Sequence, residues 1–146
     1  MKKRITSVLV AMLCCLVLTI PAFAVNAGAT STLPRLVDDA QTLTNDDTVY
    51  ILDKLNSVSE QYECDVVIVT IESLEGDSVV AYADDFFDYN GYGYGSSRDG
   101  ILLLVSTQDR EYAMSTSGSG IDIFTDHVLS NMENKFLPNL SKKSII

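Results

Sequence analysis

The chain has 146 residues and carries 20 acidic against 10 basic residues, so its net charge at neutral pH is −10. This balance excludes nucleic acid as a partner, because nucleic-acid binding depends on lysine and arginine neutralising phosphates. The length suits one ordinary domain with a core of its own, and an acidic surface favours cations.

The N-terminus has the pattern of a secretory signal peptide. Basic residues 2–4 precede an apolar run over residues 5–20, which is shorter than the roughly 20 residues that span a bilayer. Small residues follow, and we expect cleavage after Ala24, which assigns residues 1–24 to the signal peptide. The protein is therefore expected to be exported, to an extracellular, periplasmic or envelope-associated location. An uncleaved N-terminal anchor is the alternative.

Cleavage would also change the charge and the cysteine count. The remaining chain has 7 basic and 20 acidic residues, a net charge of −13. Cys64 is then the single cysteine, so no intramolecular disulfide can form. Because Cys64 precedes an apolar run, we expect it to be buried; pairing between two chains is the alternative. Residues 25–33 are small and polar, which predicts a flexible leader, and order should begin near Pro34.

Apolar periodicity then predicts a helix followed by a strand. Thr44 is the expected N-cap of a helix of about 18 residues, with one apolar stripe at spacings of three and four. The β-favouring run over residues 66–71 predicts a strand that is covered on both faces. The stripe of the helix consists of Val49, Leu52, Leu55, Val58 or Ser59, and Tyr62.

The same alternation continues towards the C-terminus. Residues 79–89 predict a second helix, and residues 101–105 predict a second apolar strand, parallel to the first because a whole helix separates them. Residues 110–116 return as an antiparallel partner. A third helix over residues 126–136 should stop at Pro138. The predicted fold class is α/β, with a small mixed sheet sandwiched by helices.

This topology places several aspartates at one end of the sheet. Parallel strands start at the same end and an antiparallel third strand finishes there, so loops 88–99 and 117–126 should meet. Calcium takes about six to eight oxygen ligands, and glycine-rich loops can supply carbonyl oxygens beside carboxylates. The alternative is that these aspartates cap helices and turns. The candidate cluster contains Asp88, Asp99, Asp122 and Asp126.

Catalytic and contact residues are less clearly marked. His127 is the only histidine, and in the first turn of a helix we expect it to be exposed. No Ser/His/Asp or Cys/His arrangement can be argued, and residues 118–120 lack the lysine of a phosphate-binding loop. Tyr92 and Tyr94 alternate with glycine, which predicts a contact patch for an envelope protein. Packing over their own loop is the alternative.

Five segments follow one another in a recognisable order. They are LVDDAQTLT from Leu36, VVIVT from Val66, DGILLLV from Asp99, Asp109-Arg110, and Gly118-Ser119-Gly120. Together they resemble the TPM domain family of exported bacterial proteins and of thylakoid-lumen proteins linked to photosystem II repair, over residues Pro34 to Leu140. The resemblance implies an α/β sandwich, which we assign to residues 34–146. It also implies calcium binding in some members and acid phosphatase activity in plant members.

The resemblance adds Asp38 to the site, beside Asp99 and with Asp126 as the acidic residue after the glycine turn. We therefore expect a divalent cation, calcium, bound by Asp38, Asp99, Asp122 and Asp126 in an exported binding module of the cell envelope. A metal-assisted phosphatase acting on phosphomonoesters and a metal-free interaction scaffold are the alternatives.

Many bacterial relatives continue into a membrane helix. This sequence ends at Ile146, so we expect no C-terminal membrane helix. We also expect a C-terminally truncated domain in which part of one sheet face is exposed.

Overall fold

The structure is a computed structural model that describes residues 31–142, with side chains to residue 140. The predicted signal peptide, most of the leader and residues 143–146 lie outside this range. No helix within residues 31–142 is long and apolar enough to cross a membrane.

Four strands and four helices follow one another in this range, and the strands form one sheet in the order β1-β2-β3-β4. The predicted α/β class is therefore confirmed. The strands are β1 (Leu36–Asp38), β2 (Asp65–Ile71), β3 (Gly100–Ser106) and β4 (Glu111–Ser117). The helices are α1 (Asn45–Tyr62), α2 (Val79–Tyr89), α3 (Gly120–Ile123) and α4 (Asp126–Lys142).

The strand pairings agree with the predicted topology. β1 and β2 are parallel, β2 and β3 are parallel, and β4 runs antiparallel to β3. Asp65 lies opposite Gly100, which lies opposite Ser117; we call this the loop end of the sheet. Asp38 lies opposite Thr70 near the other end of β2, which we call the Asp38 end. β1 was not predicted, because three residues are too few to show periodicity.

Helix α2 closes one face of the sheet with the apolar side that its sequence predicts. Phe87 is 1% exposed and packs on the inward residues of β2 and β3. Since side chains alternate along a strand, every second residue of β2 and β3 points into this core. The core cluster consists of Val67, Val69, Ile71, Leu74, Ala83, Phe87, Tyr92, Leu102, Leu104 and Ala113.

Helix α1 lies on the other face and begins with a capping box. The Thr44 hydroxyl accepts a hydrogen bond from the Asp47 N–H (3.2 Å), and the Asp47 carboxylate accepts one from the Thr44 N–H (3.4 Å). The predicted stripe is only partly correct, because Leu55 is buried whereas Val49 is 70% exposed and Tyr62 is 67% exposed. Val49 lies about 120° round the helix from Leu55, away from the sheet.

Helix α4 departs from the prediction, because it continues through Pro138. Proline loses only its own hydrogen bond to the carbonyl of Asn134 and crowds that carbonyl, a penalty of about 3 kcal/mol that does not have to end a helix. Phe136 of α4 meets Tyr112 of β4 edge to face, with ring centroids 5.6 Å apart. The four-residue helix α3 was also not predicted.

Apolar space remains between α1 and α4. One cavity of about 400 Å³ is lined by residues that include Val58 and Met132, and another of about 250 Å³ by residues that include Leu43 and Leu140. Ile68, on the sheet between these helices, is only half-buried. This face of the sheet is therefore less completely covered than the face under α2.

Candidate functional site

The two glycine-containing loops meet at the loop end, as predicted. The Ser119 N–H donates a 2.6 Å hydrogen bond to Oδ1 of Asp99. Gly118 permits this approach, because it has φ +59° and a Cβ there would lie 2.2 Å from that oxygen. Hydrogen bonds from the Ser119 N–H and the Ser97 side chain lower the pKa of Asp99. The carboxylate is therefore ionised at neutral pH and holds the two loops together.

The other aspartates of the predicted cluster do not converge on Asp99. Asp88 forms an ion pair with Arg98, with Oδ1 and Nη1 3.0 Å apart. Asp122 lies in α3 and Asp126 begins α4, and both side chains are exposed. In residues 31–142, no group of three or more His, Cys, Asp or Glu side chains could hold a metal ion.

Asp38 lies at the opposite end of the sheet from Asp99. It pairs with Thr70, which is five residues along β2 from Asp65 and thus about 16 Å from the loop end. Calcium ligands lie about 2.3–2.6 Å from the ion, so one ion cannot contact both carboxylates. The prediction that Asp38 joins Asp99 in one site is therefore wrong. Asp38 ends one parallel strand, whereas Asp99 precedes another.

The carboxylate of Asp38 stabilises the turn that follows β1. It accepts hydrogen bonds from the Thr42 N–H (3.0 Å), the Thr42 hydroxyl (2.9 Å) and the Leu43 N–H (2.9 Å). The Thr70 hydroxyl donates a further one. Burial disfavours the charge, but these hydrogen bonds outweigh it and lower the pKa of Asp38.

Acid should weaken the domain through Asp38. Its folded pKa lies below the ordinary value of 3.8, so its stabilisation is present above that value and is lost as the pH falls through the folded pKa. We expect Asp38→Asn to lower the free energy of unfolding at neutral pH by about 1–2 kcal/mol and to reduce its acid dependence. Urea unfolding at neutral pH and at about pH 3 measures both effects. Asp39→Asn, at the exposed neighbour, is the control, and equal acid sensitivity of Asp38→Asn and wild type would contradict this role.

The most buried carboxylate at the loop end belongs to Asp65, which no sequence pattern had marked. It is fully buried and accepts hydrogen bonds from Nε of Arg35 (2.7 Å) and the N–H of Gly93 (2.8 Å). Arg35 also donates to Asn56 (3.0 Å) and Glu60 (3.2 Å) of α1. This network joins β1, β2, α1 and the glycine loop. The sequence feature that could have indicated a role for Asp65 is its position directly before the apolar run of β2.

Tyr92 is not a surface contact residue, and that part of the prediction is wrong. Its side chain is 0% exposed, its ring packs on Phe87, and its hydroxyl donates a 2.7 Å hydrogen bond to the Pro34 carbonyl. The chain turns at Gly93, where φ is +114°, and Tyr92 is directed into the core. Tyr94 is half-buried.

Aromatic side chains do reach the surface on the outer side of α2. Tyr82 and Phe86 are stacked with ring centroids 6.3 Å apart, and Tyr89 is 83% exposed. Together with Asp77 and Asp85 they line a cleft of about 390 Å³, which we call the α2 cleft. Spacings of three and four residues place the helical members of this set on one side of α2.

Cys64 and His127 lie in different surroundings, one buried and the other exposed. Cys64 is buried, and burial, with the charges of Asp99 and Asp65, raises the pKa of its thiol. The thiol is therefore protonated at neutral pH. His127 is exposed, as expected, and its Nε2 lies 3.1 Å from Nδ2 of Asn131.

A mixed four-stranded sheet with helices on both faces defines an α/β sandwich domain. The family model for the TPM domain matches residues 36–145, and the chain belongs to this family. No curated protein matches the chain.

Two solution NMR structures of bacterial N-terminal domains have a similar fold. The domain from P. gingivalis is 18% identical with a TM-score of 0.66, and the match covers 77% of this chain and 72% of that one. The domain from Corynebacterium glutamicum is 16% identical with a TM-score of 0.61, and covers 80% and 73%. At these identities the likeness concerns the fold.

Proposed function

We propose that this protein is an exported TPM domain that works as a binding module of the cell envelope and docks another envelope protein at the α2 cleft. The observation that carries this proposal is the 83% exposure of Tyr89 beside the half-buried rings of Tyr82 and Phe86, which line the cleft with it. Exposed apolar clusters mark interaction sites, and tyrosine is enriched in the centres of protein interfaces. The basic and apolar pattern of residues 2–20 supports export.

Calcium stays a prediction for the loop end, in a narrower form. Asp99, Asp122 and Asp126 lie on the loops and helices of this end, whereas Asp38 does not. Oδ1 of Asp99 already accepts the Ser119 N–H. An ion there would have to rely on backbone carbonyl and water oxygens for most of its ligands. Binding of a partner therefore has more support than binding of a cation.

The predicted alternative, a metal-assisted phosphatase, requires carboxylates that hold an ion beside the attacking water. Asp38 and Asp99 lie at opposite ends of β2, and Asp88 is engaged by Arg98. This separation favours a binding module over a hydrolase.

Site-specific crosslinking in the native envelope tests the proposed function. A photo-crosslinking phenylalanine analogue at Tyr89 should give a discrete adduct with another envelope protein. The matched control is the same analogue at Tyr50, which is 64% exposed but lies on α1. Tyr50 should give no such adduct. Equal adducts from both positions, or none from Tyr89, would count against docking at the α2 cleft.

A further inference from the structure

Resting on this proposed function, we infer that the segment docked in the α2 cleft is basic, and that the cleft receives an arginine or lysine side chain from a cationic stretch of the partner protein. The chemistry that recognises it is a pair of carboxylates beside aromatic ring faces.

The charged residues that line the cleft are both acidic, Asp77 and Asp85. Helix α2 contains three aspartates and no lysine or arginine. Asp84 accepts a 2.6 Å hydrogen bond from Ser115, and Asp88 pairs with Arg98. Asp77 and Asp85 line the cleft, and within residues 31–142 neither side chain has an ion pair or a hydrogen bond. These two carboxylates are therefore available to a cation from outside the domain.

The ring faces next to these carboxylates suit the same ligand. Tyr82 and Phe86 are nearly parallel, at 17°, and Phe86 continues the stack onto Tyr92 at 6.2 Å and 18°. A guanidinium or ammonium group within about 6 Å of a ring centroid is attracted by the negative ring face. Arginine also stacks on aromatic rings through its planar group.

The domain already binds one of its own arginines in this manner. The guanidinium carbon of Arg98 lies 5.6 Å from the centroid of the Phe87 ring, and the same side chain pairs with Asp88 at 3.0 Å. Phe86 and Asp85, their neighbours on α2, both line the cleft, and within residues 31–142 neither has a lysine or arginine partner. The cleft thus contains the same two chemical groups, an aromatic ring and a carboxylate, that hold Arg98 elsewhere on the helix.

The shape of the cleft favours a peptide over a small cation. Its lining runs from Asp77 to Asn90, and the part from the N-cap Ser78 to Tyr89 covers eleven positions, about 16 Å along the helix. A stretch of about five extended residues has this length. The high exposure of Tyr89 also means that the rings form an open wall and do not enclose a small ligand.

Binding of two synthetic peptides tests this inference. The probes are an acetylated Gly-Gly-Arg-Gly-Arg-Gly peptide and its analogue with glutamine in place of arginine, titrated into the chain from residue 25 onwards at physiological salt. Amide NMR should show saturable shifts in α2 with the arginine peptide and much weaker shifts with the glutamine peptide. Asp85→Asn and Tyr89→Ala should each weaken binding about two- to fivefold.

The matched control is Asp53→Asn, which removes one exposed carboxylate from α1 and should leave the affinity unchanged. Equal weakening by Asp53→Asn and Asp85→Asn would show attraction to overall charge and would overturn the inference. Equal binding of both peptides at α2 would overturn the basic partner while leaving the proposed docking function intact. Absence of shifts in α2 would also overturn it. Shifts that depend on protein concentration or on residues 25–30 would assign the cleft to a second copy or to the chain's own leader, and would overturn it too.

Discussion

Replacing Asp65 by alanine should lower the free energy of unfolding by about 3–5 kcal/mol, because it leaves a buried charge without its partner. Arg35 is only 8% exposed, and its Nε would lose the carboxylate at 2.7 Å. The Gly93 N–H would lose its acceptor as well. A loss of this size is a large part of the stability of an ordinary domain. Urea or thermal unfolding measures it.

Two further variants separate the charge from the packing. Glu60 is the other acidic partner of Arg35, and the Glu60 side chain is 48% exposed. Glu60→Gln should therefore alter the free energy of unfolding by less than about 1 kcal/mol. Arg35→Met combined with Asp65→Leu removes both buried charges and should regain much of the loss. If Asp65→Ala were no more harmful than Glu60→Gln, the buried pair would not stabilise the loop end.

Replacing Gly118 by alanine should destabilise the domain by about 2–5 kcal/mol. A left-handed conformation costs an alanine about 1–2 kcal/mol, and forced contacts add about 1–3 kcal/mol. The new Cβ would lie 2.2 Å from Oδ1 of Asp99 and 2.5 Å from the Ser97 carbonyl oxygen. The loops would therefore have to separate, which a changed amide shift of Ser119 should report alongside the unfolding measurement.

Gly95→Ala provides a matched control for this experiment. Gly95 has φ +63°, close to that of Gly118, but nothing lies within 4 Å of the position that an alanine methyl group would take there. The Gly95→Ala variant should lose only about 1–2 kcal/mol of unfolding free energy, the cost of a left-handed backbone at an alanine. The difference between the two variants isolates the contact between Asp99 and Gly118. Equal losses would mean that the loops are not held in close contact.

The meeting of the two loops could be predicted because it follows from strand direction alone. The apolar runs of β2 and β3 and the helix between them define a parallel pair, and the short turn after β3 defines the antiparallel return. The N-cap role of Thr44 could also be predicted, since a threonine followed by acidic residues is typical of the start of a helix. Both features depend on short-range sequence patterns and on strand direction, which the sequence alone specifies.

The composition of the site could not be predicted in the same way. A family motif gives positions along the chain but not the end of the sheet at which each position lies, so Asp38 was grouped with Asp99. Adjacent residues of one helix can also differ in burial, since Phe87 is fully buried whereas Phe86 is half-buried. The partner of Asp65 is 30 residues away, beyond the reach of any periodicity. Each aspartate of the family motifs accepts a hydrogen bond from a backbone N–H group: Asp38 from Leu43, Asp99 from Ser119, and Asp109 from Leu74.

The hydrogen bond from Gly93 to the buried carboxylate of Asp65 has a consequence for dynamics. A loop rich in glycine is ordinarily among the first parts of a protein to open locally. Here, opening would withdraw a donor from a desolvated charge that also anchors the start of β1. The loop should therefore order and unfold together with the sheet, as part of the same cooperative unit, although its composition is that of a mobile segment.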